Sequence, residues 1–300
     1  MSNPRFPRKA GHFAQYLAVR LVLGVLRLLP VDTASALGGR LGRLIGPRLR
    51  RHEIARTNMR RALPELSDAE IETALSQMWD NLGRTFAEYA HLDAFRRSLD
   101  AGDGRIEVRG REHLDAAAAA GRGLVAFGAH LANWELLGLL QAKSGIESVL
   151  VYRPQNNPWI NRLLETARPA VAGRLAPKGA AGARDLVAVL RAGGAIGVLV
   201  DQKYNEGVAV PFFGRDAMTV SGPAELALRR GAPMIPIRIE RRGGARFRIT
   251  VSPPLPMPAP DSGAAGLGIL LGNMNTTLEI WIRALPGQWY WVHQRWPRNE

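Results

Sequence analysis

Apolar and polar positions divide the chain into two parts with different periods. Up to about residue 104 the pattern is helical: it predicts a hydrophobic helix over residues 13–29 that ends at Pro30, then further helix over residues 33–63. A third helix begins after Ser67, because Glu70 follows three residues later and completes a capping box. The first third of the chain is therefore predicted to be helical.

From about Ile106 short apolar runs alternate with helical segments. Strands are predicted at 106–108, 123–127, 148–152, 195–200, 234–239, 247–251 and 289–293, and helices at 111–120, 134–143, 157–168, 182–192 and 222–230. This alternation is typical of an α/β fold, a mixed sheet layered with helices. We predict three parts: an N-terminal membrane-associating helix, a basic helical region packed on the core, and an α/β domain, over residues 1–30, 31–104 and 105–300.

The hydrophobic helix over residues 13–29 carries two arginines. Arg20 and Arg27 are seven residues apart and so lie on one stripe, with Gly24 between them. A helix that lies in the membrane interface with a basic edge explains this pattern, and a tilted span with snorkelling arginines is the alternative. No small-x-small cleavage site follows promptly, so the segment is not predicted to be a cleavable signal.

Positive charge is concentrated beside this helix. The formal net charge is +14, and residues 1–60 hold twelve Arg and Lys against two acidic residues. A strongly basic surface calls for an anionic membrane, an acidic protein or a nucleic acid as partner, and its position beside the most hydrophobic segment favours the membrane. A basic cluster in this region is either a solvated helix face or a contact for lipid headgroups or an acidic carrier protein; it comprises Arg48, Arg50, Arg51, Arg56, Arg60 and Arg61.

Composition excludes several kinds of chemistry. The chain has no cysteine, which rules out disulfides, thiolate nucleophiles and cysteine metal sites. The six histidines are scattered without metal-ligand spacing, and no P-loop sequence occurs. We therefore expect no metal and no cofactor. The charge alone leaves two non-enzymatic alternatives, a nucleic-acid-binding protein without a recognisable motif and a membrane scaffold.

The candidate chemistry lies directly after the predicted strand 123–127. His130 follows this strand, and Glu135 comes five residues later at the start of a predicted helix. If His130 lies in the turn before the helix, Glu135 in its first turn can orient the imidazole for hydroxyl activation, and Asn133 can cap the helix or donate nearby. The alternative is a structural histidine at a strand end.

Two further polar residues follow predicted strands. Arg153 comes after strand 148–152, and Asp201 comes after strand 195–200. Sites in α/β sheets gather at such strand ends, so His130, Arg153 and Asp201 are predicted to converge. Asp201 could equally be a strand-end cap, and Arg153 either pairs with an acidic neighbour or binds a phosphate.

The chain around these positions resembles the lipid A late acyltransferases, the lauroyl/myristoyl branch of the lysophospholipid acyltransferase superfamily. The resemblance covers roughly residues 10–297 and rests on a series of blocks in the family's order: His130 and Glu135 as His-x4-acid, Tyr152–Pro158, Arg168, Lys178-Gly179 with Arg184–Leu186, Asp201-Gln202, Pro211–Gly214 and Trp289–Trp296. Where the family carries Asp-x-Asp, this chain reads Asp201-Gln202-Lys203, which leaves the acceptor and the acyl chain length open.

The resemblance implies a glycerolipid acyltransferase-like fold and an activity. The family transfers a fatty acyl chain from acyl carrier protein to a hydroxyl of a lipid A precursor, with no further cofactor. By resemblance, His130 is the general base, Glu135 is its partner, and Arg168 and Asp201 are further functional residues. It also implies a place on the cytoplasmic face of the bacterial inner membrane, anchored by the N-terminal helix. Related branches that share the histidine motif acylate phosphatidylinositol mannoside or ornithine lipids, and a lysophospholipid acceptor also stays open.

Overall fold

The helices and strands alternate along most of the chain. The computed structural model describes residues 6–142, 145–168, 173–177, 179–259 and 261–296. The α-helices are α1 (Phe6–Arg27), α2 (Val31–Ile45), α3 (Arg51–Ala62), α4 (Asp68–Glu88), α5 (Leu92–Ala101), α6 (Arg111–Ala119), α7 (Gly138–Ala142), α8 (Pro158–Ala167), α9 (Ala180–Arg191), α10 (Gly222–Arg230) and α11 (Gly263–Ala284). The strands are β1 (Ile106–Arg109), β2 (Leu124–Gly128), β3 (Ser148–Tyr152), β4 (Arg174–Pro177), β5 (Ala195–Leu199), β6 (Val208–Phe212), β7 (Arg215–Thr219), β8 (Met234–Gly243) and β9 (Arg246–Val251).

A mixed sheet forms the centre of the fold. Within the described residues it has seven strands in the order β1-β9-β8-β2-β5-β3-β4, and every neighbouring pair is parallel except β8 with β9. The strands β6 and β7 form a separate antiparallel hairpin. Parallel strands need crossover connections, which the helices supply on the sheet faces. The predicted α/β class, a mixed sheet layered with helices, is therefore confirmed.

The predicted elements differ from the structure in several places. The segment 289–293 is not a strand: it forms one isolated bridge, Leu131 with Trp289, and then turns. The helix predicted over 33–63 is interrupted at a 3-10 turn, Gly46–Arg48, which separates α2 from α3. Helix α11, strand β4 and the β6–β7 hairpin were not predicted. The capping box was: Ser67 accepts from the Glu70 backbone, and the Glu70 carboxylate accepts from the Ser67 backbone.

Helix α2 packs on α4 through glycines. A Cβ at Gly38 would lie 2.4 Å from the Gly83 carbonyl oxygen, and one at Gly42 would lie 2.1 Å from the Trp79 carbonyl oxygen. The two backbones are therefore in direct contact, with no layer of side chains between them. The opposite side of α2 carries leucines that remain exposed.

Large apolar side chains of α1 and α2 are exposed to solvent. They are Phe13, Leu17, Leu21, Val22, Val25, Leu37, Leu41, Leu44 and Ile45, and Leu21 is 69% exposed. We call these residues the α1–α2 apolar face. No helix in the described part of the chain is long and apolar enough to cross a membrane.

Candidate active site

The carboxyl ends of β2 and β5 bring His130 and Asp201 together. The two strands are parallel neighbours with Gly128 opposite Leu199, and each polar residue lies two positions beyond its strand. The His130 Nδ1 atom lies 2.7 Å from Asp201 Oδ1, and the His130 backbone N–H donates to Asp201 Oδ2 at 2.9 Å. Of the three residues predicted to converge, His130 and Asp201 are therefore in direct contact, and Arg153 lines the same cavity as His130.

Asp201 is fully buried and has three donors around it. Besides both His130 groups, the Trp289 indole N–H donates to Asp201 Oδ2 at 2.7 Å. Burial alone raises the pKa of the Asp201 carboxyl, but the charge and hydrogen bonds of His130 outweigh it and hold that pKa below its usual value. The carboxylate is therefore ionised and can accept the Nδ1–H of His130, so Nε2 is the ring nitrogen left to take a proton from a substrate.

The His130 ring is enclosed by aromatic side chains. The Trp134 ring lies 5.1 Å from it, edge to face, and the Tyr290 ring lies 6.1 Å away. The Gln202 side-chain nitrogen approaches His130 Nε2 at 3.3 Å. This contact is long, so a substrate hydroxyl that binds here can replace it.

Glu135 contacts Arg168 instead of His130. The Arg168 guanidinium donates from Nε to Glu135 Oε2 at 2.9 Å and from Nη2 to Glu135 Oε1 at 3.1 Å, and both side chains are largely buried. Burial disfavours the charge of Arg168, but the hydrogen bonds and charge of Glu135 outweigh it, so the pKa of Arg168 is raised. Tyr89 borders this pair; burial, with the Glu135 charge next, raises the pKa of its hydroxyl well above 10.

The interpretation that Glu135 orients His130 is therefore corrected. His130 does lie in the turn before a short helix, Trp134–Leu137, and Glu135 is in its first turn, as the spacing predicted. Asp201 nevertheless occupies the Nδ1 side of the ring, since β5 lies directly beside β2. Asn133 does not cap the helix either: its amide donates to Glu88 on α4 at 2.8 Å.

A cavity of about 1110 Å³ opens at these strand ends. His130, Glu135, Arg168 and Gln202 line its polar part, and apolar residues line the rest, among them Leu137, Leu150, Leu186, Val187 and Leu226. Arg153 lines the cavity as well and is exposed to solvent. Three further cations line it: Arg51, Lys203 and Arg229. The cavity thus combines a base, an apolar chamber and several positive charges.

This arrangement can activate a hydroxyl group. A neutral imidazole whose Nδ1–H is held by a buried carboxylate presents Nε2 as proton acceptor, and the carboxylate stabilises the imidazolium that forms. The adjoining apolar volume suits a hydrocarbon chain, and the Arg168 Nη1 atom is buried without a hydrogen-bond partner among the described residues. Both features fit an amphipathic substrate with a polar or anionic end.

Several residues of the site were not identified from the sequence as site residues. Tyr89 belongs to the N-terminal helical part of the chain, and Trp289 was predicted to lie in a strand; only the three-dimensional structure brings either to the site. Gln202 was named only as part of the Asp201-Gln202 block of the resemblance. Its position directly after Asp201, beyond the end of a strand, was the sequence feature that could have indicated a site residue. Lys178, which belongs to one of the blocks that carry the resemblance, lies outside the described residues.

Comparisons with known proteins identify a family and several relatives. The model of the family described as bacterial lipid A biosynthesis acyltransferase matches residues 4–298. The lipid A biosynthesis palmitoleoyltransferase of Escherichia coli K12 is 28% identical over 311 residues, 97% of this chain and 94% of that protein. The lipid A biosynthesis lauroyltransferase of the same strain is 28% identical over 312 residues, 98% of this chain and 96% of that protein. The phosphatidylinositol mannoside acyltransferase of Mycobacterium tuberculosis H37Rv is 25% identical over 251 residues, 81% of this chain and 77% of that protein.

Proposed function

Since this chain belongs to the bacterial lipid A biosynthesis acyltransferases and is an acyltransferase, we propose that it transfers a fatty acyl chain from acyl carrier protein to a hydroxyl of a lipid A precursor. The observation that carries the mechanism is the contact of His130 Nδ1 with Asp201 at 2.7 Å. His130 is the general base in this proposal, and Asp201 takes the orienting role that the sequence assigned to Glu135.

The reaction proceeds by proton transfer through His130. Nε2 accepts the proton of the acceptor hydroxyl as its oxygen attacks the thioester carbonyl carbon, and the C–O bond forms. The tetrahedral intermediate then collapses with cleavage of the C–S bond. The departing thiolate of the carrier takes the proton back from the imidazolium, so the base is regenerated, and the products are an ester and a free carrier thiol.

Glu135 and Arg168 serve the substrate side of the cavity. Their ion pair is nearly buried, and Arg168 Nη1 has no partner among the described residues while the residue lines the cavity. An anionic or carbonyl oxygen of the substrate can accept from this nitrogen. Arg153 extends the positive charge towards the exposed mouth, where a phosphate of the acceptor is the suitable ligand.

The donor enters with its acyl chain in the apolar part of the cavity. Leucine and valine side chains of α9 and the neighbouring strands line that part, and burial of each methylene contributes about 0.8 kcal/mol. Acyl carrier proteins are acidic, so the cations at the mouth, Arg51, Lys203 and Arg229, favour and steer the encounter.

The α1–α2 apolar face contacts an anionic membrane. Leu17, Leu21 and Val25 recur at helical spacing on the exposed side of α1, and Leu37, Leu41 and Leu44 do so on α2. Exposed arginines flank them: Arg20, Arg40, Arg48 and Arg50. An apolar helical face bordered by arginines binds in the interface of an anionic bilayer. The location we propose is the cytoplasmic face of the inner membrane, with the α1–α2 apolar face in contact with the lipids.

Helix α1 also reaches the cavity side of the molecule. The Asn157 side chain donates to the His12 carbonyl oxygen at 2.8 Å, and Phe13 and Tyr16 pack on the Trp159 ring. Asn157 caps α8, which follows the Arg153 loop. A lipid that leaves the bilayer beside α1 therefore arrives next to the cavity mouth. The division into parts at residues 30 and 104 stays a prediction.

The proposal is tested by acyl transfer in detergent. Labelled acyl groups on acyl carrier protein are offered to a tetra-acylated lipid A precursor with wild type and His130→Ala. We expect turnover with wild type and a loss of 100-fold or more, on the order of what a general base contributes, with the variant still folded. Full activity of His130→Ala would contradict the mechanism. The similarity to a phosphatidylinositol mannoside acyltransferase makes that lipid the first alternative acceptor, followed by ornithine lipid and lysophospholipid; transfer only to one of these would contradict the lipid A assignment.

A further inference from the structure

We propose that a buried ion pair, Glu88 with Arg241, positions the loop that carries His130 through Asn81 and Thr85. The proposal rests on the proposed function of His130 as the general base. None of the four residues lines the cavity, so they act through the loop and not on the substrate. Asn81, Thr85 and Glu88 lie on α4, and Arg241 lies on β8.

The loop after β2 contains a strained residue. Ala132 has a φ of 46°, in the left-handed region that alanine rarely adopts. Its carbonyl oxygen accepts two hydrogen bonds, from Asn81 Nδ2 at 3.1 Å and from Thr85 Oγ1 at 3.0 Å. Its backbone N–H donates to the Gln288 carbonyl oxygen at 2.9 Å. Both peptide groups of Ala132 are thus held, which is what a strained conformation needs in order to persist.

Arg241 determines which way these two partners face. Its Nε donates to Asn81 Oδ1 at 2.9 Å, so the Asn81 NH₂ group must point to the loop. Its Nη2 donates to Thr85 Oγ1 at 3.3 Å, which leaves the single hydroxyl proton of Thr85 for the Ala132 carbonyl. A guanidinium only donates, so it can accept nothing from either group. The orientation of both donors follows from the position of one side chain.

Glu88 in turn fixes Arg241 and the far end of the loop. Its carboxylate accepts from Arg241 Nη1 at 2.5 Å and Nη2 at 3.1 Å, and the Glu88 side chain is fully buried. Glu88 Oε2 also accepts from the Asn133 amide at 2.8 Å. A buried ion pair adds little stability compared with apolar residues of the same size. What this pair does achieve is to orient the contacts to two consecutive loop residues, Ala132 and Asn133.

The other end of the loop is held by the site itself. The His130 carbonyl oxygen accepts from the Tyr290 backbone at 3.1 Å, and its ring and backbone are bound to Asp201. His130 therefore lies between the Asp201 contacts on one side and the Ala132 contacts on the other. A displacement of about 1 Å at a reacting group reduces the rate by on the order of 100-fold.

The test compares Asn81→Ala and Thr85→Val with a matched control, Asn275→Ala. Asn275 is also a buried asparagine that donates to a backbone carbonyl and to a threonine hydroxyl, Pro211 and Thr219, away from the His130 loop. We expect kcat to fall on the order of 10- to 100-fold in each test variant, with KM for the acyl donor within about twofold. Asn275→Ala lowers thermal stability and leaves kcat of the folded protein unchanged. Thr85→Ser keeps the hydroxyl and retains activity.

Two further readouts separate positioning from general stability. In an Asp201→Asn background the Thr85→Val effect on kcat shrinks to less than about threefold, because both changes act on His130. Amide hydrogen exchange of the peptide over residues 129–134 speeds up about tenfold or more in Asn81→Ala and Thr85→Val but not in Asn275→Ala. Three results would each overturn the proposal. The two kcat effects could multiply fully in the double variant, or Thr85→Ser could be as inactive as Thr85→Val. The third is equal amide exchange in the test and control variants. If wild type showed no transfer at all, the proposed function would fail, and the exchange measurement would still decide the positioning proposal.

Discussion

Two regions of this molecule depart from the usual distribution of polar and apolar residues in opposite directions. Around His130, charged and polar side chains are buried: Asp201 and Glu88 are fully covered. On the α1–α2 apolar face, leucines are exposed, with Leu21 at 69% and Leu41 at 46%. Buried charge and exposed leucine both cost free energy, so neither arises from packing alone.

The two regions differ in where this cost in free energy is offset. The buried groups are balanced inside the protein, since Asp201 has three donors and Glu88 has a guanidinium partner. The exposed leucines have no such balance within the described residues, and the proposed function has a bilayer cover them. In that proposal the site is complete in the isolated chain, whereas the α1–α2 apolar face is completed by the membrane.

The largest effect, on kcat, is expected from Asp201→Asn in the buried polar region around His130. An amide can donate to Nδ1 and so stabilise the tautomer with its proton on Nε2, which is no base. We expect kcat to fall by about 1000-fold with the fold intact. Glu135→Gln leaves the His130 tautomer unchanged, so kcat should fall less in this variant. A loss of kcat in Glu135→Gln as large as that in Asp201→Asn would contradict the assignment of the orienting role to Asp201 alone.

The next largest effect concerns membrane binding by the α1–α2 apolar face. The double variant Leu21→Asp/Leu41→Asp should bind vesicles with 30% anionic lipid, a probe composition of roughly physiological charge, more weakly by about 100-fold or more, since burial of each of the two leucines contributes about 1.5–3 kcal/mol. Its activity on acceptor in detergent micelles should stay within about threefold. The matched control is Ile269→Asp on α11, an exposed apolar residue outside the face. If Ile269→Asp bound vesicles as weakly as the double variant, the assignment of membrane contact to the α1–α2 apolar face would be contradicted.

A smaller effect is expected where α2 touches α4. Gly83→Ala adds a methyl group 2.1 Å from the Gly38 carbonyl oxygen, so the two helices must separate. The free energy of unfolding should fall by about 2 kcal/mol, as overpacking in a core does. Gly24→Ala on α1 is the control, since nothing lies within 4 Å of its added methyl group, and helix propensity favours alanine there. Denaturant unfolding measures both; a stable Gly83→Ala would contradict the close backbone contact.

The smallest effect, taken per pH unit, is a pH dependence of the free energy of unfolding that arises from His293. Burial lowers the pKa of this histidine to about 4, from 6.5 in the unfolded chain, and its Nδ1 donates to the Tyr290 carbonyl oxygen at 2.6 Å. Between these two values the unfolded chain binds more protons, so stability is full above about pH 6.5 and decreases by about 1 kcal/mol per pH unit as the pH falls towards 4. In His293→Asn the unfolding midpoint should vary less with pH over this range. An unchanged slope in that variant would assign the effect to other groups.

Local features of the fold were predictable from the sequence. Apolar runs predicted the ends of β2 and β5 to within one residue, and Ser67 with Glu70 predicted the start of α4, because each depends on neighbours along the chain. The placement of His130 and Asp201 beyond parallel strands followed from the same runs. Long-range relations did not follow. That β5 lies beside β2 is decided by the crossovers, and this adjacency gives His130 its carboxylate.

The errors have physical reasons too. The aromatic run from Trp289 has the composition of a strand, but tertiary contacts override it: Trp289 donates to Asp201, and Trp291 donates to the Pro286 carbonyl oxygen. Glu135 found its partner in Arg168, which is 33 positions away and reaches it from the end of α8. Spacing within a segment carries no information about such a contact.

Helix α4 joins the two compared regions directly. Gly83 touches the α2 backbone, while Asn81, Thr85 and Glu88 of the same helix hold the His130 loop and its partners. With no side-chain layer between α2 and α4, the height of the reactive nitrogen above the leucines of α2 is fixed by main-chain contact. If the α1–α2 apolar face binds a bilayer as proposed, this contact would keep His130 at a constant distance from the membrane surface.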